Sequence, residues 1–219
     1  MFQSTFSKNQ LKKVIARWKK QKVRLIVVAG RRKSGKDVFV DYVMRHYPGF
    51  KHYRIAEAPV LIEKILGLPS DRKITQALFG VNKLLYPILG ESAYKRRVAR
   101  LLDREKPKLA IIEAARTKEE FEEFVRARKG ILIGVVADDR FRYERAVKDA
   151  RSAVRGEKRD EKDMSFGEFM KREKLDVERD IDWIVKRSHF VLSNTGRIKQ
   201  PFFKKVDAIM SLMGFTRRR

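Results

Sequence analysis

The run from Gly30 through Arg31, Arg32, Lys33, Ser34, Gly35 and Lys36 to Asp37 carries the strongest chemical signal in the chain. Two glycines five positions apart, followed at once by a lysine, suit a loop that grips a polyphosphate. Main-chain N–H groups converge on an anion only where the chain curls tightly, and glycine permits the backbone angles and the close approach that this requires. A helix starting at the second glycine would point its positive end at the same anion. Lys36 would then reach the outer phosphates, with Val38 in the first helical turn. The same spacing also fits a glycine-rich strand-to-helix turn that holds no ligand.

Transfer of a phosphoryl group asks a protein mainly to position two substrates and to neutralise charge. For a magnesium ion, Asp37 stands where a hydroxyl residue usually follows the lysine, and its carboxylate is a hard oxygen donor. It would equally serve as an acidic residue in the first helical turn, where the dipole favours it. Glu113 closes an apolar run, either as a second acid beside the metal or as a surface charge at a strand end. Arg116 follows three residues later and could clamp an acceptor phosphate with paired hydrogen bonds, or pair with Glu119 or Glu120. Ala58 and Pro59, in AEAPVLIEKI, offer a turn and helix start as an acceptor wall. Arg151, Arg155 and Arg159 cluster before DEKDMSFGEF and suit an arm that closes on the transferring group, Arg155 foremost. Arg142 and Arg145, on the preceding helix, would face the nucleotide. A charge run of this kind is also what a solvated face looks like.

The elements that must position these residues are legible. Leu25, Ile26, Val27 and Val28 predict a buried parallel strand ahead of the loop. Further strands are expected at His52–Ala56, Leu109–Glu113, Ile131–Val136 and His189–Ser193. Helices are expected over 7–21, from Val38 to the Pro48-Gly49 stop, and at Val60–Leu66, Ala93–Arg104, Lys118–Arg128, Arg140–Ala150 and Phe202–Met213. Alternating strands and helices predict an α/β domain whose parallel sheet is covered on both faces, with ligands at the carboxyl ends of the strands. Residues 1–22 read as a basic amphipathic helix, either docked through Leu11, Val14, Ile15 and Trp18 or held out as an anion-binding arm. Residues 23–216 read as the domain proper, with a helical insertion at 67–107 and a lid at 151–174.

Composition narrows the classes. The 219 residues suffice for one α/β core, and 43% hydrophobic content is that of a globular chain. There is no cysteine, which removes disulfides and thiolate chemistry and agrees with a cytoplasmic protein. Three histidines make a histidine-rich metal centre a poor expectation. No apolar stretch has the length of a membrane span. The net charge of +25 exceeds what a nucleotide site needs and could attract nucleic acid or an anionic membrane without specificity, or reflect a basic proteome or adaptation to high temperature.

Taken together, the segments resemble the P-loop nucleoside and nucleotide kinases, above all the deoxynucleoside monophosphate kinases of the phage type, with phosphomevalonate kinase and dephospho-CoA kinase as relatives. KSGKD at 33–37 is similar to their phosphate loop, and AEAPVLIEKI to the segment after their second strand. EAARTKEEFEEF resembles an Asp-x-x-Arg element followed by an acidic helix, with Glu113 in place of Asp. DMSFGEFMKREKLD and HFVLSNTG resemble the lid exit and the last strand with its turn. The resemblance implies a three-layer α/β/α fold with a five-stranded parallel sheet, an acceptor-binding insertion and a lid. It also implies ATP and Mg2+ as cofactors, a small phosphorylated acceptor such as a nucleoside monophosphate, and Asn194, Thr195 and Gly196 beside the adenine.

Overall fold

The computed structural model describes residues 3–55, 57–68, 72–89, 92–151, 163–173, 180–196 and 198–218. Its frame consists of β1 (Arg24–Ala29), β2 (Phe50–Arg54), β3 (Leu109–Ala115), β4 (Ile131–Val136) and β5 (Phe190–Ser193). They form one sheet in the order β2-β3-β1-β4-β5, every neighbour parallel. β1 and β4 are buried almost throughout, which is why RLIVVA and ILIGVV read as continuous apolar runs without alternation.

One face of the sheet is covered by α1 (Lys8–Lys19), α2 (Lys36–His46) and α10 (Gln200–Leu212). The other packs against α5 (Ala93–Glu105), α6 (Lys118–Phe121) and α9 (Ile181–Val185). α6 runs on in π-helical hydrogen bonding over Glu122–Ala127, where the sequence pattern predicts one plain helix. Helices α3 (Glu57–Ile65) and α4 (Arg72–Leu89) follow β2, and α7 (Asp139–Arg151) and α8 (Phe166–Glu173) follow β4. The expected second strand ends earlier than its apolar pattern suggests, at Arg54 rather than Ala56, and Ala56 lies outside the described residues. α3 begins before Pro59, a position at which proline is tolerated because the first-turn N–H has no helical partner.

α1 starts on a reciprocal cap between Ser7 and Gln10, and buries Leu11, Ile15 and Trp18. The Trp18 indole N–H donates to the Leu25 carbonyl at 2.7 Å, so the ring's one polar group is satisfied inside the core. Each such apolar side chain contributes about 1.5–3 kcal/mol when buried. Ahead of the helix, Gln3 pairs antiparallel with Val191 and so covers part of the free edge of β5. Among the described residues no helix is long and apolar enough to cross a membrane.

Candidate phosphate-binding site

β1 delivers the chain into the loop at the carboxyl edge of the sheet, and the strand order reverses around it. β2 and β3 lie on one side, β4 and β5 on the other. Such a reversal opens a crevice at the carboxyl ends of the strands. Two packing constraints force glycine at the ends of the loop. A Cβ on Gly30 would lie 2.2 Å from the Val135 carbonyl oxygen on β4. A Cβ on Gly35 would lie 2.1 Å from Asn194 Nδ2, at a φ of +96° that side chains resist.

Gly35 is also the N-cap of α2 and offers no side-chain cap, leaving the helix start open to an anion. The Lys36 ammonium turns back over the loop and donates to the carbonyls of Gly30 at 2.8 Å and Arg31 at 3.0 Å. Ser34 Oγ is buried with no hydrogen-bond partner among the described residues. An open helix start, a cation at the loop mouth and an orphaned hydroxyl make a cradle with unsatisfied capacity for a polyanion. Asp37 is exposed in the first turn of α2, as a metal ligand or a dipole-matched acid must be.

The loop's own side chains are mostly committed to holding it. Arg31 grips Asp182 of α9 through two bonds, at 2.9 and 2.7 Å, and these hold the Asp182 carboxyl below its usual range. Lys33, itself at a φ of +60°, pairs with Asp149 of α7. The carbonyls of Arg32 and Lys33 accept from Arg142 and Arg145, at 3.0 and 3.1 Å. Arg145 also donates to the carbonyls of Asn194 and Gly196, at 2.6 and 3.2 Å. Burial pulls its pKa down, while Asp37 opposes that shift.

Beside the loop lies a cavity of about 680 Å3. It is lined by Gly35, Asp37 and Val38, by Phe141, Glu144, Arg145, Lys148 and Asp149 of α7, and by Asn194, Gly196 and Lys199 after β5. That volume is in the range of small-ligand sites. The α7 contributors recur at three- and four-residue intervals, one helical face, so a search for that period would have exposed Phe141 and Lys148, which the sequence reading passed over. Asn194 is less available than expected: its Nδ2 donates to the Ser34 carbonyl at 2.8 Å. Thr195 exchanges hydrogen bonds with Asp138 and does not line the cavity.

No protein-family model matches the chain, and no curated protein matches it by sequence. Solved structures do. Shikimate kinase from Bacteroides thetaiotaomicron superposes with a TM-score of 0.52 at 12% identity, over 87% of this chain and 98% of that one. TT1252 from Thermus thermophilus gives 0.51 at 19% identity, over 86% and 96%. The tunicamycin resistance protein of Deinococcus radiodurans gives 0.50 at 12% identity, over 90% and 99%. The chain shares the fold of these proteins, a five-stranded parallel sheet covered by helices on both faces.

On the other flank of the loop, Glu113 lies within β3, which runs two residues past the expected end to Ala115, in register with Val28 and Arg54. Its Oε2 accepts from Arg54 Nε at 2.9 Å, and His52 Nε2 stands 2.8 Å away, poorly aligned for a hydrogen bond. Burial works to raise its pKa, but His52 and Arg54 outweigh that and hold the carboxyl below its usual range. The structure therefore gives Glu113 a local cationic environment, a partnership the strand-end reading did not foresee. Among the described residues no group of three or more His, Asp or Glu could hold a metal by itself. Ala58 and Pro59 fall within α3, and Arg155 and Arg159 lie outside the described residues. Arg151 is the exposed last residue of α7.

Arg142 departs from expectation. Rather than facing a nucleotide it is 1% exposed, paired with Glu173 of α8 and bonded to Asp139 at 2.6 Å. It ties the Arg32 carbonyl of the loop to the start of α7 and the end of α8.

At Arg116 the backbone N–H donates to Glu120 Oε2 at 2.6 Å, and Thr117 N–H to the same oxygen at 3.2 Å. This is a reciprocal cap that fixes the turn after β3. Burial pushes the Glu120 pKa up to about 7, against the pull of those N–H groups. The folded chain thus keeps a proton that the unfolded chain releases above its ordinary 4.5. Stability from Glu120 is full below that value and is lost as pH rises through about 7, on the order of 3 kcal/mol. His189 works in the opposite sense. Burial and the charge of Arg17 lower its pKa to about 4, so stability from it is complete above 6.5 and is lost on acidification. Glu120→Gln keeps an acceptor for the cap and removes the titration. Thermal melts from pH 6.5 to about 8 should fall for the parent chain and stay nearly level for Glu120→Gln. An equal fall in both would exclude Glu120 as the source.

Proposed function

We propose that the chain is an ATP- and magnesium-dependent kinase acting on a small phosphorylated metabolite, with a nucleoside monophosphate as the acceptor. One observation supports this above the others: an uncapped helix start and a lysine ammonium meet in a glycine-framed loop, beside a cavity of small-ligand size. The loop from Gly30 to Val38 would hold the ATP phosphates through its amides and Lys36. Phe141 would offer its ring to the base, with the turn from Asn194 to Gly196 behind it.

Magnesium keeps several waters and needs only one or two carboxylates beside the nucleotide's own oxygens. Asp37 fits that demand, with Glu113 as the candidate second acid once Arg54 and His52 reorient. When bound, the ion would neutralise charge on the transferring group. Arg116 would orient the acceptor against the wall containing Ala58 and Pro59. The helical insertion at 67–107 would cover the acceptor, and the lid at 151–174 would bring Arg151, Arg155 and Arg159 onto the transferred group and exclude water.

The test is an acceptor panel with ATP and magnesium, followed by ADP release. Deoxynucleoside and nucleoside monophosphates form the first arm, dephospho-CoA and phosphomevalonate the second. Shikimate forms the third, because a shikimate kinase is among the structural neighbours. Fastest ADP release with a nucleoside monophosphate supports the assignment, and preference for another arm moves the acceptor class. ADP release equal with and without every acceptor would replace the kinase with an ATPase.

A further inference from the structure

At the amino-terminal edge of the sheet, opposite the phosphate loop, the turns entering β3, β1 and β4 lie side by side. Arg24 N–H donates to the Lys108 carbonyl at 3.0 Å, and Gln21 Nε2 to the Lys129 carbonyl at 3.1 Å. These two bonds fasten the turn before β1 to its neighbours on either side. The three turns expose Lys20 and Lys22, Lys106 and Lys108, and Lys129. Among the described residues none of these five ammonium groups lies in an ion pair. The acids closest in sequence are already taken: Asp103 and Glu123 by Arg128, and Glu105 by Lys51. α1 ends at the same pole, and its exposed Lys12, Lys13 and Arg17 carry the positive surface along one flank for about 12 Å. No acidic residue precedes Asp37 to offset it.

We propose that this basic pole binds the phosphodiester backbone of a nucleic acid. Neighbouring strands stand about 4.8 Å apart, so the three turns span roughly 10 Å. Nucleic acid presents a charge about every 3.4 Å per strand, and the pole therefore meets several consecutive phosphates at once. A membrane surface fits less well. The exposed large apolar side chains, such as Ile65, Leu84 and Ile88, lie on other elements, and those of α1 are spent in the core. With no apolar wedge at the pole, attraction there is by charge alone. Binding of this kind is independent of base sequence and falls steeply with salt. The pole lies at the opposite end of the strands from the loop, so its occupancy leaves the proposed nucleotide site open. The inference stands whatever the acceptor proves to be.

Fluorescence anisotropy of the full chain with labelled single-stranded RNA, single-stranded DNA and duplex DNA, across a salt series, provides the test. Log affinity against log salt should have a slope of about −3 to −4 on single strands, for about five phosphates engaged across the three turns and the adjoining flank of α1. Parallel RNA and DNA curves would mark backbone recognition, and a gap between them would add a contact to the sugar. Lys20→Glu, Lys22→Glu, Lys108→Glu and Lys129→Glu combined should weaken binding at least tenfold and flatten the slope by about 3. The melting temperature and ATP turnover should not change. A control reversing the exposed Arg45, Lys64, Lys171 and Lys204 should bind nearly as well as the parent. Equal loss in the control would overturn the pole in favour of net charge. So would tighter binding to vesicles of equal parts phosphatidylserine and phosphatidylcholine, in favour of a membrane.

Discussion

Lys36→Ala should abolish most turnover and leave the fold standing. The ammonium sits at the mouth of the loop, bonded to the Gly30 and Arg31 carbonyls, and it is the charge best placed to meet the outer phosphates of a nucleotide. Removing one preorganised charge from a water-poor site costs about 10²–10³-fold in rate, or about 3–4 kcal/mol. The structural cost is smaller. The Arg31 carbonyl keeps a bond from Ser34 N–H at 3.2 Å, and Lys36 is not among the residues that line the cavity. Losing the bonds to these two carbonyls costs about 1–3 kcal/mol, because water entering the loop can take the place of the buried ammonium. Steady-state turnover together with a thermal melt separates the two effects. Undiminished turnover in a folded Lys36→Ala chain would remove the basis of the kinase reading.

The second large effect falls on stability. Arg142 and Glu173 are 1% and 4% exposed, and neither has water to fall back on. Replacing the arginine with methionine keeps much of the volume and strands a buried carboxylate. Breaking one half of such a pair costs about 3–5 kcal/mol. Arg31 Nη1, which Asp182 does not take, stands 3.8 Å from the same oxygen and donates to the Glu173 carbonyl, so part of the charge stays compensated and the loss should fall at the lower end of that range. For a chain of this length the melting temperature should drop by on the order of 10 °C. The double change Arg142→Met, Glu173→Leu should recover most of that, because two apolar side chains leave no orphaned charge. ATP affinity should weaken in both variants through the lost grip on the Arg32 carbonyl. A single variant that melts within a degree or two of the parent would show that Glu173 finds another partner.

The strands were legible because burial on both faces leaves a mark that needs no partner to be read: Leu25–Val28 and Ile131–Val136 are apolar whatever surrounds them. Ends were less secure. β2 buries only Phe50 and Tyr53, and its expected boundary slid by two residues. The phosphate loop was legible for a related reason. Its glycines are demanded by local backbone geometry, although the obstacles that forbid a side chain there, Val135 and Asn194, come from elements about a hundred and more residues away.

Charged residues were read least well. An arginine in sequence looks the same whether it faces solvent, a ligand or a carboxylate. Arg142 and Arg145 are three residues apart on one helix, yet the first is locked to Glu173 and the second borders the cavity. Likewise, the lysines of the turns before β1, β3 and β4 are scattered from position 20 to 129, and only the strand order gathers them at one pole. The sequence alone determined the apolar strands, the amphipathic helices and the bend at Gly30–Asp37, because these follow from hydrophobicity and backbone freedom within short windows. Tertiary structure alone decided which cations are spent and which are available, because Coulomb and hydrogen-bond partners are set by distance in space and not by distance along the chain.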